Sequence, residues 1–166
     1  MTQPRVTDDE FYNEHAALLG HVTLAWNDCH YMVLSIFHTL SGLSWGKAIA
    51  VFLALKSDHD RRGMTLALMT KVLNTDNDRL LREHFTKLFG ELANLANERN
   101  VATHTMWVTV MPQREVRPHP ALPRPKMLKD DFKAQFADLT AKLRELFREL
   151  WRHHAALRVH LEQRKH

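Results

Sequence analysis

A single cysteine, Cys29, stands in a chain of 166 residues, so no internal disulfide can form and cysteine-rich zinc sites are excluded. The thiol reads as a small buried apolar group. Glycine is scarce too, at five, and β-branched residues cluster in one stretch, which leaves little room for the turns of a sheet. Long apolar runs are missing: the longest, Tyr31 to Leu40, falls well short of the roughly 20 residues that span a bilayer. No basic and apolar leader opens the chain, which gives the expectation of a cytoplasmic protein without membrane contact. The twelve histidines invite a metal. Yet no His-Glu-x-x-His occurs, and no glutamate is followed three residues later by histidine, which excludes zincin and di-iron carboxylate sites. Neither of the glycine-rich loops that cradle phosphates is present. No metal and no cofactor are expected.

What is present is ordinary in bulk: 45% apolar and 25% charged residues, a balance that suits one folded domain of this length. The formal charge of +4 is unevenly placed. Residues 1–60 hold three basic and seven acidic groups and residues 142–166 hold seven and three, or −4 against +4. A basic C-terminal end suits a polyanionic partner, or simply a solvated helix.

Apolar periodicity gives the helices. Leu18, Val22, Ala25, Cys29, Met32, Ile36 and Leu40 recur at steps of three and four, predicting a long first helix that ends near Gly42. Ala48, Val51, Phe52 and Leu55 predict a short second helix, and Ser57 caps a third that runs to about Leu73. After a polar loop, Leu81, Phe85, Leu88, Leu92 and Leu95 predict a fourth, with Arg99 at the next position of the stripe. From Val101 to Val110 the β-branched residues favour extended backbone, so this helix is expected to end near Asn100. Five of the six prolines fall between Pro112 and Pro125, predicting an extended arm. A last helix follows from Asp130, its seam running Phe132, Phe136, Leu139, Leu143, Leu146, Leu150, His153 and Leu157, regular enough for a neighbour within the chain or across a dimer. The expected architecture is all-α, one domain: an antiparallel helical bundle of four main helices in residues 8–100, a proline-rich arm in 101–126 and a long C-terminal helix in 127–166.

Chemistry concentrates at the end of the fourth helix, in Glu98-Arg99-Asn100-Val101-Ala102-Thr103-His104. An arginine on a leucine stripe must pair, meet water in a cleft, or leave a charge buried at high cost. Five residues apart in an unbroken helix, Arg99 and His104 would diverge by about 140°. If the helix unwinds after Asn100, His104 can swing back toward Arg99. Guanidinium grips phosphate through parallel hydrogen bonds and histidine titrates near neutrality, so the pair could hold an RNA phosphodiester and move a proton without metal. Asn100 could orient either group. The equivalent alternative is structural, two cations at a helix C-terminus favoured by its dipole. The bare spacing recurs at Arg79–His84, Arg114–His119 and Arg148–His153; only Arg99–His104 joins it to an asparagine, a helix end and an apolar stripe.

These residues resemble the HEPN superfamily (higher eukaryotes and prokaryotes nucleotide-binding), all-α domains whose ribonuclease members carry Arg, four to six residues, then His, often with Asn directly after the Arg. The resemblance covers roughly residues 10–107, extends to Trp107 after the histidine, and departs at Thr103 and Thr105, which flank it. It implies a homodimer with a shared cleft, metal-independent endoribonuclease activity yielding a 2′,3′-cyclic phosphate, and catalytic roles for Arg99, Asn100 and His104. The other reading is a non-catalytic nucleotide- or protein-binding module, with a cognate partner or antitoxin docking on the arm or the last helix. Arg144, Arg148 and Arg152, at steps of four, form a ridge that could track an RNA backbone, diluted by Glu145 and Glu149.

Overall fold

In the computed structural model, which describes residues 10–110 and 115–164, each apolar stripe becomes a helix. α1 (Glu10–Ser41) ends at Gly42, whose φ of 64° is the left-handed conformation glycine adopts freely. α2 (Trp45–Ala54) bends away from α1 by 120°. α3 (Asp58–Val72) starts at Ser57, whose hydroxyl accepts the Asp60 N–H at 3.0 Å. A single 3₁₀ turn, Asp76–Asp78, sits in the expected loop behind a capping box of Thr75 and Asp78. α4 (Arg79–His104) and α5 (Phe132–Gln163) complete the helices. The described residues are all-α apart from one antiparallel hairpin, β1 (Trp107–Val110) with β2 (Glu115–Pro118), in which Trp107 lies opposite Pro118. Among the described residues no single helix is long and apolar enough to cross a membrane.

Val22, Ala25, Cys29, Met32, Ile36 and Leu40 of α1 are buried in one cluster with Phe136, Leu139, Leu143, Leu146, Leu150 and Leu157 of α5 and with Phe85, Leu88 and Leu92 of α4. The seam of α5 is therefore consumed within the chain. Cys29 donates its S–H to the Leu143 carbonyl at 3.3 Å, and burial, with Asp28 close by, pushes its pKa up to about 12, so the thiol is inert. Contacts along the seam keep one order: Glu14 with Lys133, Cys29 with Leu143, Thr39 with His154. α1 and α5 thus run parallel, a direction that the expectation of an antiparallel bundle of four main helices plus a C-terminal helix left open. α4 alone runs against α5, Asp78 meeting His160 and His84 meeting His153. The reason is connectivity: α4 descends to the foot of α1, and the hairpin and following link return α5 to that same foot.

The boundary expected at Asn100 moves as well. α4 continues to His104 because Ala102 is fully buried, and the Thr103 and Thr105 hydroxyls bond back onto the carbonyls of Arg99 and Val101 at 3.0 and 2.5 Å. Packing of Val101 and Ala102 against the core outweighs the few tenths of a kcal/mol that β-branched residues cost a helix. Residues 101–126, expected as one extended arm, instead divide between this last turn, the hairpin, and a link closed by Gln135, which accepts the Lys129 N–H and donates to the Met127 carbonyl, each at 2.9 Å. Pro112 lies outside the described residues.

A second polar device ties the far end of α5 to the 3₁₀ turn. Asp78 is fully buried and accepts from the Thr75 N–H at 2.9 Å, with His160 at 2.5 Å and Arg164 at 3.3 Å from its carboxylate. Burial alone would raise its pKa, but the Thr75 N–H, His160, the Thr75 hydroxyl and Arg164 together hold it down to about 2. A carboxylate depressed in the folded state stabilises above its unfolded pKa and loses that contribution as pH falls through about 2. Asp78→Ala should cost about 3 kcal/mol in urea unfolding at pH 7. The gap to the parent protein should narrow in the same experiment near pH 2.

Candidate functional site

Arg99 finds a carboxylate. Its guanidinium donates to Asp58 Oδ2 at 2.8 Å and lies over the indole of Trp26, with Cζ 4.5 Å from the ring centre. That stacking contributes about 0.5 to 2 kcal/mol, the upper end applying to desolvated pairs. Asp58 is the first residue of α3, placed there by the Ser57 cap, and three elements converge on it. Trp26 Nε1 donates to Oδ2 at 3.2 Å, Arg61 donates to Oδ1 at 3.3 Å, and His30 Nδ1 stands 3.6 Å from Oδ1. Arg61 is itself fixed by donating to the Phe52 carbonyl at 3.3 Å and the Leu55 carbonyl at 3.0 Å, which locks the α2–α3 corner.

Charge at this cluster does not balance. Among the described residues Arg61, Arg62 and Arg99 face Asp58 alone, three positive groups against one negative, or +2. Arg62 is only 7% exposed. Among the described residues its Nη1 and the Nε of Arg99 are buried donors without a hydrogen-bond partner, and both ring nitrogens of His30, one a donor and one an acceptor in the neutral ring, are likewise buried without one. Burial lowers the Arg62 pKa, with Arg99 adding to the effect and Asp58 opposing it. Burial likewise drives His30 down to about 4 against the pull of Asp58, and Arg62, Arg99 and Arg61 push the same way as burial. At neutral pH the imidazole is uncharged, stacked on Trp26 at 4.7 Å. Such an arrangement can hold an anion: guanidinium donors already oriented, partly dehydrated, and carrying surplus positive charge.

The other sequence-predicted residues distribute differently. Because α4 is unbroken through His104, Arg99 and His104 point about 140° apart within one chain, and the unwinding expected after Asn100 does not occur. Asn100 and His104, four apart, instead share an exposed face. Trp107 belongs to packing: its Nε1 donates to the Ala102 carbonyl at 3.2 Å and its rings meet Phe132 and Phe136. Arg144, Arg148 and Arg152 are exposed on α5, with Arg148 paired to Glu145 at 2.5 Å and Arg152 paired to Glu149. Sequence reading missed Trp26, His30, Asp58, Arg61 and Arg62. One signal was available: Arg62 precedes Thr65 and Met69 at helical spacing, an arginine on a buried stripe just as Arg99 is.

Comparison of the chain with protein-family models, with curated proteins and with solved structures returns no match.

His30 makes the cluster testable by acid. Its pKa falls from 6.5 to about 4 on folding, so across that window the unfolded chain binds the extra proton and stability drops as pH falls. His30→Phe, which keeps the stack on Trp26, should flatten the stability profile between pH 6.5 and 4 in urea titrations.

Proposed function

We propose that the chain is a HEPN-like helical bundle that binds the phosphate of RNA or of a nucleotide at Arg62 and Arg99. The observation that carries this reading is the surplus of +2 at the Asp58 cluster, with donor hydrogens on Arg62 and Arg99 buried and unanswered. Asp58 occupies Arg99 as a phosphate oxygen would. A phosphate entering over its partly exposed edge gives the remaining donors acceptors and brings the charge toward neutrality. Arg144, Arg148 and Arg152 would then act at longer range, as a salt-sensitive guide for a polyanion.

The test is fluorescence anisotropy of a labelled single-stranded RNA, competed with AMP and with inorganic phosphate. Arg62→Ala and Arg99→Ala, checked for folding, should each weaken binding by about tenfold or more, the effect of one charge-assisted hydrogen bond. Binding unchanged in both variants would overturn the proposal.

Endoribonuclease activity is the second reading, favoured by the exposure of Asn100 and His104 on one face of α4. A homodimer that sets this face of one copy against the phosphate cluster of the other would reunite the motif. The 2′-oxygen would attack the adjacent phosphorus and give up its proton, the 5′-oxygen would leave, and a 2′,3′-cyclic phosphate would remain, with His104 handling one of the two protons. The exposed Tyr31, Trp45, Val51 and Leu53 supply apolar surface for such a dimer or for a cognate protein. Incubation with RNA in EDTA should give cyclic-phosphate ends from the parent protein and none from His104→Ala. Intact RNA with undiminished binding leaves the module as a binder only.

A further inference from the structure

Two histidines whose spacing from an arginine found no use above, His84 on α4 and His153 on α5, meet across the helix pair, with ring centres 4.9 Å apart and planes at 71°. Together with Asn77, Arg152 and His160 they line a cavity of about 410 Å³. Arg152 is paired with Glu149, so its charge is answered. His84 is exposed and the His153 side chain keeps 19% of its surface, which leaves both rings within reach of solvent. The tautomer of His153 follows from its partner. Nδ1 stands 2.9 Å from the Glu149 carbonyl, which can only accept, so in the neutral ring Nδ1 carries the hydrogen and Nε2 the lone pair. One nitrogen donating to a carbonyl while the other offers a lone pair is the arrangement that metal-binding histidines adopt. Phe85, fully buried, packs on the same ring at 6.1 Å and holds it in place.

The separation of the rings states which ligand. Two imidazoles sharing one tetrahedral ion, each nitrogen about 2.0–2.1 Å from the metal, hold their ring centres about 5 Å apart. His84 and His153 meet that condition with no movement of either helix. His160, the third imidazole of the cavity, is turned to Asp78 at 2.5 Å and lies two turns, about 10 Å, beyond His153. Among the described residues no group of three such ligands converges, so the remaining coordination positions fall to water. Imidazole nitrogens take borderline ions such as Zn²⁺, Ni²⁺ and Cu²⁺, whereas Mg²⁺ and Ca²⁺ require oxygen. Local spacing does not register such a pair, because its members come from different helices.

We infer that His84 and His153 together bind one divalent transition ion of the Zn²⁺ class and so clamp α4 to α5. The pair lies about 22 Å along α4 from Arg99 and shares no residue with the arginine cluster at Asp58, so its success or failure leaves the phosphate reading untouched. The probe is Zn²⁺ added to the full chain at pH 7.5, with Mg²⁺ as the hard-ion control. The imidazole resonances of His84 and His153 should move together and ahead of those of the other histidines. Zn²⁺ should also raise the urea midpoint, because it joins two helices that part on unfolding. By calorimetry, His84→Gln, at an exposed position, should weaken Zn²⁺ by about tenfold or more and remove the rise in midpoint. His21→Gln, at an exposed position on α1, should do neither. Acidification to about pH 5.5 should release the ion as the imidazoles take up protons. The inference is overturned if Mg²⁺ moves the same resonances, if Zn²⁺ moves other histidines first, or if a folded His84→Gln variant binds Zn²⁺ and is stabilised by it as the parent is.

Discussion

The parallel seam between α1 and α5 is the contact on which the remaining structure depends. Each helix contributes an unbroken apolar stripe, and together they bury most of the large side chains of the core. With α5 fixed along one side of α1, α3 and α4 are left its other flanks, and that is what brings Trp26, Asp58 and Arg99, from three different helices, to one point. The arginine cluster at Asp58 is thus a by-product of how four helices share the surface of one.

At that point the fold tolerates an arrangement that stability alone would not favour. Replacing Arg62 by an apolar residue of similar volume would remove an unanswered donor and a share of the surplus charge, and cores are generally no less stable for such exchanges. Retaining three guanidiniums around one carboxylate makes physical sense where an additional negative group is meant to arrive. His30 tightens the argument, since its neutral ring keeps the surplus from growing at physiological pH.

How much of this was legible in the sequence depends on distance along the chain. Helices were readable because their signal is local, repeating every three or four residues. The need of Arg99 for a partner was readable for the same reason, a charge at a core position of a stripe. The identity of the partner was not, because Asp58 lies 41 residues earlier and nothing local to either residue names the other. His104 was drawn toward Arg99 by the β-branched run that follows Asn100, which argues for a helix end. Local propensity of that size yields to a few tertiary contacts, here a buried Ala102 and Val101 packed on the core. The parallel sense of α1 and α5 was hidden too, since periodicity records which face is apolar and carries no information on direction.

That parallel sense has a mechanical side. The first residues of α1 lie beside the first residues of α5, and α5 is 32 residues long, so the start of α1 and the end of α5 are separated by about 48 Å of helix. A tension applied between those two points draws α1 and α5 in opposite directions along their shared axis. The seam is then loaded in shear, with its interlocked side chains resisting together, rather than being peeled open one turn at a time. A protein fused at both ends into a longer chain would on this account behave as a stiff spacer along the line of force, with the short α2 and the hairpin, which lie outside that line, bearing no load until the seam gives way.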